Sequence, residues 1–234
     1  MRINAFLASA GLGSRRSVEK FILEDRVAVN GRIVRALAFR VDPTVDQIIC
    51  DGKPIRAHKS RYVMFHKPRG CACTRYDPHA AKTIYDLLPS ELHHLKYAGR
   101  LDVDSEGLLL LSNDGDWIQQ ITHPRHQMVK IYEIEVAGRP SEKILEAVRH
   151  GIQDGGEWLR VDSIRLLTQK ARSSLLRVTL REGKKREIRR IFGALHHRVT
   201  RLKRISIGSL TLNQLSPGEW RELTLKEMKK LFGS

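Results

Sequence analysis

The feature that most constrains the fold is a run of four leucines, residues 108–111, bounded on both sides by turn-forming residues. Residues 99–107 before it have the sequence GRLDVDSEG, and residues 112–115 after it read SNDG. A short apolar run between turn signals predicts a buried strand. Glycines allow the tight turns that can present carboxylates, and a buried strand supports such a loop rigidly. The same pattern also fits an ordinary turn beside an ordinary core strand.

The charge balance indicates a polyanionic partner. The chain has 234 residues, with 42 Lys and Arg against 26 Asp and Glu, which leaves a net charge of +16. Residues 169–204 hold thirteen Lys or Arg and two acids, so 13 − 2 = +11 of that charge is concentrated there. Phosphate binding concentrates charge in this way, whereas a merely solvated basic surface is the alternative.

The three cysteines, Cys50, Cys71 and Cys73, are too few and too oddly numbered for a disulfide framework. Cys71 and Cys73 also lack the further paired ligands that a zinc site needs, so we expect no metal site. The N-terminus does not resemble a signal peptide, and no apolar run approaches the length of a membrane span. We therefore expect a soluble, cytoplasmic protein in a reducing compartment, with no membrane partner.

The N-terminal part predicts two short helices and a hairpin. Ile3, Phe6 and Leu7 recur at helical spacing, and a second helix is predicted from a Ser14 cap. Arginines in its first turn would oppose the helix dipole, which favours a ligand-binding role for them. Asn30-Gly31 between two short apolar runs predicts a type I′ hairpin.

The remaining chain predicts alternating strands and amphipathic helices. Residues 130–136 alternate, so that Lys130, Tyr132 and Ile134 share one face of a strand. The other expected elements are a strand at 62–65, helices at 141–150 and around 188–195, strands at 161–167, 174–180 and within 202–212, and a final helix opened by a Thr224–Glu227 capping box.

Several motifs together resemble those of RNA pseudouridine synthases. Residues 99–109 match the catalytic motif of that family, and LLSNDG at 110–115 is similar to the branch that modifies ribosomal RNA. KPRG at 67–70 and KIY at 130–132 match two further motifs. The resemblance implies an α+β fold, with a mixed, mainly antiparallel sheet flanked by helices in the catalytic domain. Residues 67–70 are expected to have a structural role, because Pro and Gly shape a turn.

The resemblance also implies the site. In the family the aspartate at the position of Asp102 is catalytic, the tyrosine at Tyr132 stacks on the target base, and the basic residue at Arg189 pairs with the aspartate. A guanidinium would keep a carboxylate ionised in a closed pocket. The reaction detaches uracil from its ribose, turns it and rejoins it through carbon, so it requires no redox cofactor or nucleotide.

The N-terminal segment resembles the αL motif, a small RNA-binding domain first known from a small-subunit ribosomal protein, S4. We therefore predict an αL-type RNA-binding domain at residues 1–58 and a catalytic domain at 59–234. The expected partner is ribosomal RNA, free or in assembling subunits, bound by a monomer. The candidate RNA-binding residues are basic side chains of both parts: Arg15, Arg16, Lys20, Arg26, Arg32, Arg100, Lys184, Lys185, Arg186 and Arg190.

Two other classes of function remain open. A non-catalytic RNA-binding module would explain the charge and the N-terminal motif, and it predicts that Asp102 is dispensable. A metal-dependent nuclease would use Asp102, Asp104 and Glu106 to hold divalent ions.

The resemblance favours a uridine of large-subunit over small-subunit ribosomal RNA. GKKREIRR at 183–190 is more similar to the large-subunit enzymes, which have Arg at both last positions, and GEWR at 218–221 points the same way. Arg2-Ile3 and THPRH at 122–126 are instead similar to the small-subunit branch.

Overall fold

The computed structural model describes residues 1–56, 58–79 and 81–232. The chain divides into two units, one formed by Met1–Arg61 with Ser112–Trp117 and the other by Tyr62–Leu111 with Ile118–Ser234. Both units combine helices with sheets, so the predicted α+β class is confirmed. None of the described helices is long and apolar enough to cross a membrane.

The first unit packs two short helices on a small antiparallel sheet, in which the strands Arg32–Ile33 (β2), Val27–Val29 (β1), Ile48–Cys50 (β3) and Lys53–Ile55 (β4) are neighbours in that order. Its apolar side chains, among them Phe6, Ile22 and Val27, form a separate core. The elements are α1 Ile3–Ser9, α2 Glu19–Leu23, β1 Val27–Val29, β2 Arg32–Ile33, β3 Ile48–Cys50 and β4 Lys53–Ile55.

The hairpin prediction is confirmed in this unit. Strands β1 and β2 pair antiparallel, and both Asn30 (φ 51°) and Gly31 (φ 78°) have the positive φ that a type I′ turn requires.

The predicted start of the second helix is wrong. Helix α2 begins at Glu19, and the Ser14 hydroxyl instead accepts a hydrogen bond from the Ser17 amide in a preceding turn. Arg15 and Arg16 lie in that exposed turn, so the helix-dipole argument does not apply to them.

The second unit is built on a nine-stranded mixed sheet. The strands of this unit are β5 Tyr62–Lys67, β6 Cys71–Ala72, β7 Lys82–Thr83, β8 Lys96–Ala98, β9 Glu106–Ser112, β10 Lys130–Ala137, β11 Ile152–Asp154, β12 Glu157–Leu159, β13 Ser163–Gln169, β14 Ser173–Leu180, β15 Val199–Ile207, β16 Leu210–Thr211 and β17 Trp220–Glu222. The main path of the large sheet is β13-β14-β10-β15-β9-β5-β17, with β16 paired to β15 and β8 to β9. Strands β15 and β9 pair in parallel, whereas β10 pairs antiparallel with both β14 and β15.

Four α-helices accompany these strands: α3 Gly115–Thr122, α4 Glu142–His150, α5 Glu187–Ala194 and α6 Leu225–Leu231. Short 3₁₀ turns occur at Ser90–Leu92 and Pro124–His126. The strongly periodic segments were therefore predicted correctly. The hairpin β11–β12, which turns through Gly155 and Gly156, was not predicted.

Strand β9 is a fully buried interior strand of the large sheet, as the leucine run predicts. All seven of its residues are buried. Gly107 (φ +112°) lies opposite Arg204 of β15, and a Cβ at this position would collide with the Arg204 backbone. Only glycine permits this close approach of two strands.

The capping box at α6 provides a first prediction. The Thr224 hydroxyl accepts a hydrogen bond from the Glu227 amide, and Arg221 Nη2 lies 2.6 Å from Glu227 Oε1. The hydrogen bond from Arg221 lowers the pKa of Glu227 to about 2. Because this pKa lies below the ordinary 4.5, the charged carboxylate stabilises the fold above pH 4.5 and loses that effect as pH falls toward 2.

We expect Glu227→Gln to lower the free energy of unfolding by about 1–2 kcal/mol at neutral pH, since glutamine keeps the capping box but loses the charge. Denaturant titrations at neutral and acidic pH measure this difference. It should shrink toward zero as the solution is acidified, and a difference independent of pH would contradict the assignment.

Candidate active site

A cleft of about 320 Å³ opens in the second unit, between residues 98–105, the start of β10 and the segment that leads into α5. Asp102 and Tyr132 both line it. The Asp102 side chain is 38% exposed, which leaves its carboxylate accessible from the cleft.

Lys67, the last residue of β5, holds the backbone of the acidic loop, residues 102–105, in place. This side chain is completely buried, and its ammonium donates hydrogen bonds to the carbonyl oxygens of Pro68 (3.1 Å), Asp102 (3.0 Å) and Ser105 (2.7 Å). Burial lowers the pKa of Lys67. The lysine therefore fixes the backbone of the loop at both of its ends.

Further main-chain hydrogen bonds complete this support. The Gly70 amide donates to the Val103 carbonyl oxygen (2.7 Å), and the Ser105 amide donates to the Asp102 carbonyl oxygen (3.0 Å). Gly70 has a φ of +84°, a conformation that suits glycine. The KPRG segment thus has the expected structural role, and its lysine supplies more of it than the turn residues alone.

The partner of Asp102 differs from the expected one. Arg186 Nη1 lies 3.4 Å from Asp102 Oδ2, whereas Arg189 Nη2 lies 3.3 Å from Asp104 Oδ2. Arg189 also donates to the carbonyl oxygens of Asp104 (3.0 Å) and Val199 (2.9 Å). The Arg189 side chain is only 11% exposed, and its guanidinium contacts backbone carbonyl oxygens. Arg186 directly precedes α5, and its side chain is 43% exposed. The expected direct pair between Arg189 and Asp102 is therefore wrong.

Asp104 connects the two arginines. Arg186 Nη2 also lies 3.3 Å from Asp104 Oδ2. Burial alone would raise the pKa of Asp104, but the hydrogen bond from Arg186 and the charges of Arg189 and Arg186 outweigh it and keep that pKa below its ordinary value. Burial lowers the pKa of Arg189. Asp102, Asp104 and the two arginines thus form one charge-balanced group at the edge of the cleft.

Tyr132 lies opposite Arg204 across the β10–β15 pair, so the two side chains share one sheet face. Tyr132 is 7% exposed and Arg204 is 2% exposed. Arg204 Nε donates to the Leu108 carbonyl oxygen (2.7 Å), while its Nη2 has no hydrogen-bond partner among the described residues. A buried cation therefore lies beside the aromatic ring.

Two more ionisable groups line the same cleft. Burial and the charge of Arg204 lower the pKa of Lys130, whose ammonium donates to the Met128 carbonyl oxygen at 3.1 Å. Burial raises the pKa of Glu187, which accepts a hydrogen bond from the Lys184 amide at 3.0 Å. Burial thus disfavours the charged forms of both side chains.

Comparison with known proteins decides what this cleft belongs to. Residues 61–194 match the RNA pseudouridylate synthase family, and residues 1–48 match the S4 domain. The chain belongs to the RNA pseudouridylate synthase family. It is therefore an isomerase that acts on RNA, and the expected fold and N-terminal S4-like domain are confirmed.

The relatives of this synthase match it along nearly its whole length. It is 42% identical to an RNA pseudouridine synthase of Aquifex aeolicus, covering 99% of this chain and 94% of the relative. It is 34% identical to the ribosomal large subunit pseudouridine synthase B of Bacillus subtilis, over 98% and 95% of the two chains. A crystal structure of a pseudouridylate synthase is 32% identical, with a TM-score of 0.69 and 99% of each chain covered.

The synthase presents its predicted RNA-binding residues in two different states. Arg15, Arg16, Lys20, Arg32, Arg100 and Lys185 are exposed. The others have partners: Arg26 pairs with Glu24 and Asp51, Arg190 with Asp154 and Glu157, Arg186 with Asp102 and Asp104, and the Lys184 ammonium donates to the Trp158 carbonyl oxygen. Their contact with RNA stays a prediction.

The acids of the loop do not converge as a nuclease would require. Glu106 is buried and pairs with Arg201 at 2.6 Å, while Asp102 and Asp104 pair with Arg186. Across residues 1–56, 58–79 and 81–232, no group of three or more His, Cys, Asp or Glu side chains is arranged to hold a metal ion.

Sequence reasoning missed Lys67 as the loop anchor, Arg186 as the partner of Asp102, and the inward-facing Arg204. The alternation of β15 was the available signal for Arg204, because Leu202, Arg204 and Ser206 occupy the buried face of that strand. No signal in the sequence separates Arg186 from Arg189, since side-chain reach decides which carboxylate each one contacts.

Proposed function

We propose that this synthase isomerises a uridine of large-subunit ribosomal RNA, with Asp102 as the reacting carboxylate and Tyr132 as the platform for the target base. The observation that carries the proposal is the geometry of one cleft. An accessible carboxylate and an aromatic face line the same cavity of about 320 Å³, which has the size of a single flipped nucleoside rather than of a duplex.

The reaction itself needs few groups. The N1–C1′ bond of uridine breaks, uracil turns within the cleft, the C5–C1′ bond forms, and the proton on C5 is lost while N1 gains one. The Asp102 carboxylate assists bond cleavage either by attacking C1′ or by removing a neighbouring sugar proton, and both routes are compatible with its exposure. Stacking on Tyr132, worth roughly 1–3 kcal/mol for a base on an aromatic side chain, offsets part of the cost of leaving the RNA stack.

In this proposal the two arginines have different roles. Arg186 forms an ion pair with the Asp102 carboxylate at 3.4 Å and gives way to the ribose when RNA enters the cleft. Arg189 positions the loop, because its guanidinium holds the Asp104 carbonyl oxygen and carboxylate from the buried side. A planar guanidinium with several donors suits this task better than a lysine would.

The choice of the large subunit rests on two observations. The B. subtilis relative named for the large subunit is 34% identical over nearly the whole chain, and the sequence at the start of α5 resembles the large-subunit enzymes. We further propose that the enzyme acts as a cytoplasmic monomer, on RNA that is free or in assembling subunits. Residues 1–58 would bind RNA and residues 59–234 would perform the chemistry.

The test offers the purified enzyme unmodified large-subunit and small-subunit transcripts separately and maps pseudouridine in each. We expect pseudouridine at a discrete position of the large-subunit transcript only. Modification of the small-subunit transcript alone would overturn the proposed substrate while leaving the reaction intact. RNA that stays full length but unmodified in both cases would favour a binding module.

We expect Tyr132→Ala to lower turnover about 10- to 100-fold and Tyr132→Phe to stay within about threefold of the wild type, because phenylalanine keeps the stacking face. Single-turnover rates on the unmodified large-subunit transcript measure this. Ile134→Ala is the matched control, since Ile134 is a fully buried residue on the same face of β10, so that its loss weakens the core alone. Equal rates for the two alanine variants would make Tyr132 a core residue only.

A further inference from the structure

An exposed tryptophan lies outside the cleft in the hairpin β11–β12. The Trp158 side chain is 53% exposed, whereas tryptophan is highly buried on average. Its neighbour Leu159 is completely buried and belongs to the core, so the hairpin itself is fixed to the domain. The exposed indole is therefore carried by an anchored element.

The indole ring of Trp158 packs against the backbone of Gly151. Gly151 (φ +98°) lies so close to it that a Cβ would approach Trp158 Nε1 to 2.7 Å and Cε2 to 2.9 Å. The backbone of Gly151 thus packs against the ring, which restricts its rotation. A large aromatic surface that is held in place on one side and exposed on the other is suited to stacking, because little side-chain entropy is lost on binding.

The surroundings of Trp158 favour an RNA ligand. Lys184, which lines the cleft, donates from Nζ to the Trp158 carbonyl oxygen at 2.6 Å, so the tryptophan lies next to the cleft edge. The acids of the hairpin, Asp154 and Glu157, are both paired with Arg190 at 2.5 Å. Two exposed cations lie next to these residues in the chain: Lys185 follows Lys184, and Arg160 follows the last residue of β12. Arg190 thus offsets one of these two negative charges, and the exposed cations Arg160 and Lys185 outweigh the other.

We propose that Trp158 is a second stacking platform, which binds an unpaired base of the RNA that flanks the target uridine. This inference rests on the proposed function. Flipping one nucleotide into the cleft leaves its neighbours without a stacking partner, and single-stranded bases bind aromatic side chains that are framed by cations. Lys184 and Lys185 contact the phosphates on either side of that base.

The test measures binding of the full-length enzyme to an unstructured oligouridylate of about twelve nucleotides, within the site sizes of single-strand binders, and to the modified ribosomal transcript. Trp158→Ala should raise Kd about tenfold, and Trp158→Phe should restore most of the affinity. Stacking is not a phosphate contact, so the dependence of log Kd on log salt should keep its slope in Trp158→Ala. Lys185→Ala should reduce that slope by about 0.7.

Phe232→Ala is the matched control, because Phe232 is another exposed aromatic side chain of the same unit, 40% exposed at the end of α6. It should bind both RNAs like the wild type. A Kd of Trp158→Ala within twofold of the wild type would overturn the proposal. So would a change of Trp158→Ala in sedimentation at the assay concentration, which would indicate that a second copy of the chain covers the indole.

A second measurement uses the wild-type protein alone and therefore does not depend on folding of a variant. RNA carrying 5-iodouridine on both sides of the target is irradiated in the complex, and the crosslinked peptide is identified by mass spectrometry. A crosslink at Trp158 is expected, and crosslinks only at other residues would contradict it. If Asp102→Asn keeps full turnover while Trp158→Ala weakens binding, the proposed chemistry fails and this binding site stands.

Discussion

Replacing Asp102 with asparagine is expected to lower the rate of uridine isomerisation at least about a thousandfold, which corresponds to roughly 4 kcal/mol of lost transition-state stabilisation. Asparagine has nearly the same volume but neither the charge nor the basicity of the carboxylate. Because the loop is held through its carbonyl oxygens by Lys67 and Gly70, the backbone at position 102 should stay in place. RNA affinity and thermal stability should therefore remain close to those of the wild type.

Asp77→Asn is a suitable control, because Asp77 lies in an exposed turn where its carboxylate accepts a hydrogen bond from the His79 amide. Pseudouridine formation in single-turnover assays measures both variants. Turnover of Asp102→Asn within tenfold of the wild type would remove Asp102 from the chemistry and favour the non-catalytic binding module. Cleavage of the RNA by the wild type would instead favour a nuclease.

The second large effect is expected for Lys67→Met. Methionine fills a similar volume but leaves the carbonyl oxygens of Pro68 and Ser105 without this buried donor, while the Asp102 carbonyl oxygen keeps its hydrogen bond from the Ser105 amide. Each such acceptor costs about 1–3 kcal/mol, while removing a buried charge recovers part of that cost. We expect a net loss of about 3 kcal/mol in the free energy of unfolding and a fall of roughly 6–12 °C in Tm.

Turnover of Lys67→Met should also fall about 10- to 100-fold at temperatures where the variant is folded, because a loop displaced by about 1 Å misplaces the carboxylate. Calorimetry and single-turnover rates measure the two effects separately. Lys229→Met, at an exposed position of α6, should change the stability by less than about 0.5 kcal/mol. If Lys67→Met unfolds like this control, the buried lysine does not hold the loop.

The sequence was most informative where a local pattern has a local cause. The Thr224–Glu227 capping box, the Asn30-Gly31 turn and the leucine run of β9 each depend on neighbours in the chain, and each was predicted correctly. The loop bearing Asp102 and the strand bearing Tyr132 were also found, because their motifs are contiguous. Placing both side chains at one cleft required the sheet order, which brings β10 and β9 on either side of β15.

The errors arise where a side chain acts at a distance. The side chains of Arg189 and Arg186 are 11% and 43% exposed, and the local sequence does not tell which aspartate each guanidinium reaches. The hairpin β11–β12 has strands of only three residues each, too short to show alternation, although Gly155-Gly156 was a turn signal. Lys67 looks like a charged residue at a turn until the fold surrounds it with carbonyl groups.

Lys67 holds the acidic loop through main-chain carbonyl oxygens, so the position of the loop does not depend on every side chain in it. A loop positioned through its main chain tolerates changes of the side chains that point away from it, and Val103 is such a residue, with 44% of its surface exposed beside Asp102. Substitutions at Val103 therefore change the exposed surface next to Asp102 without moving the carboxylate. We expect the reaction to persist while this position drifts, so that Val103 is a suitable first position for libraries that seek new RNA targets.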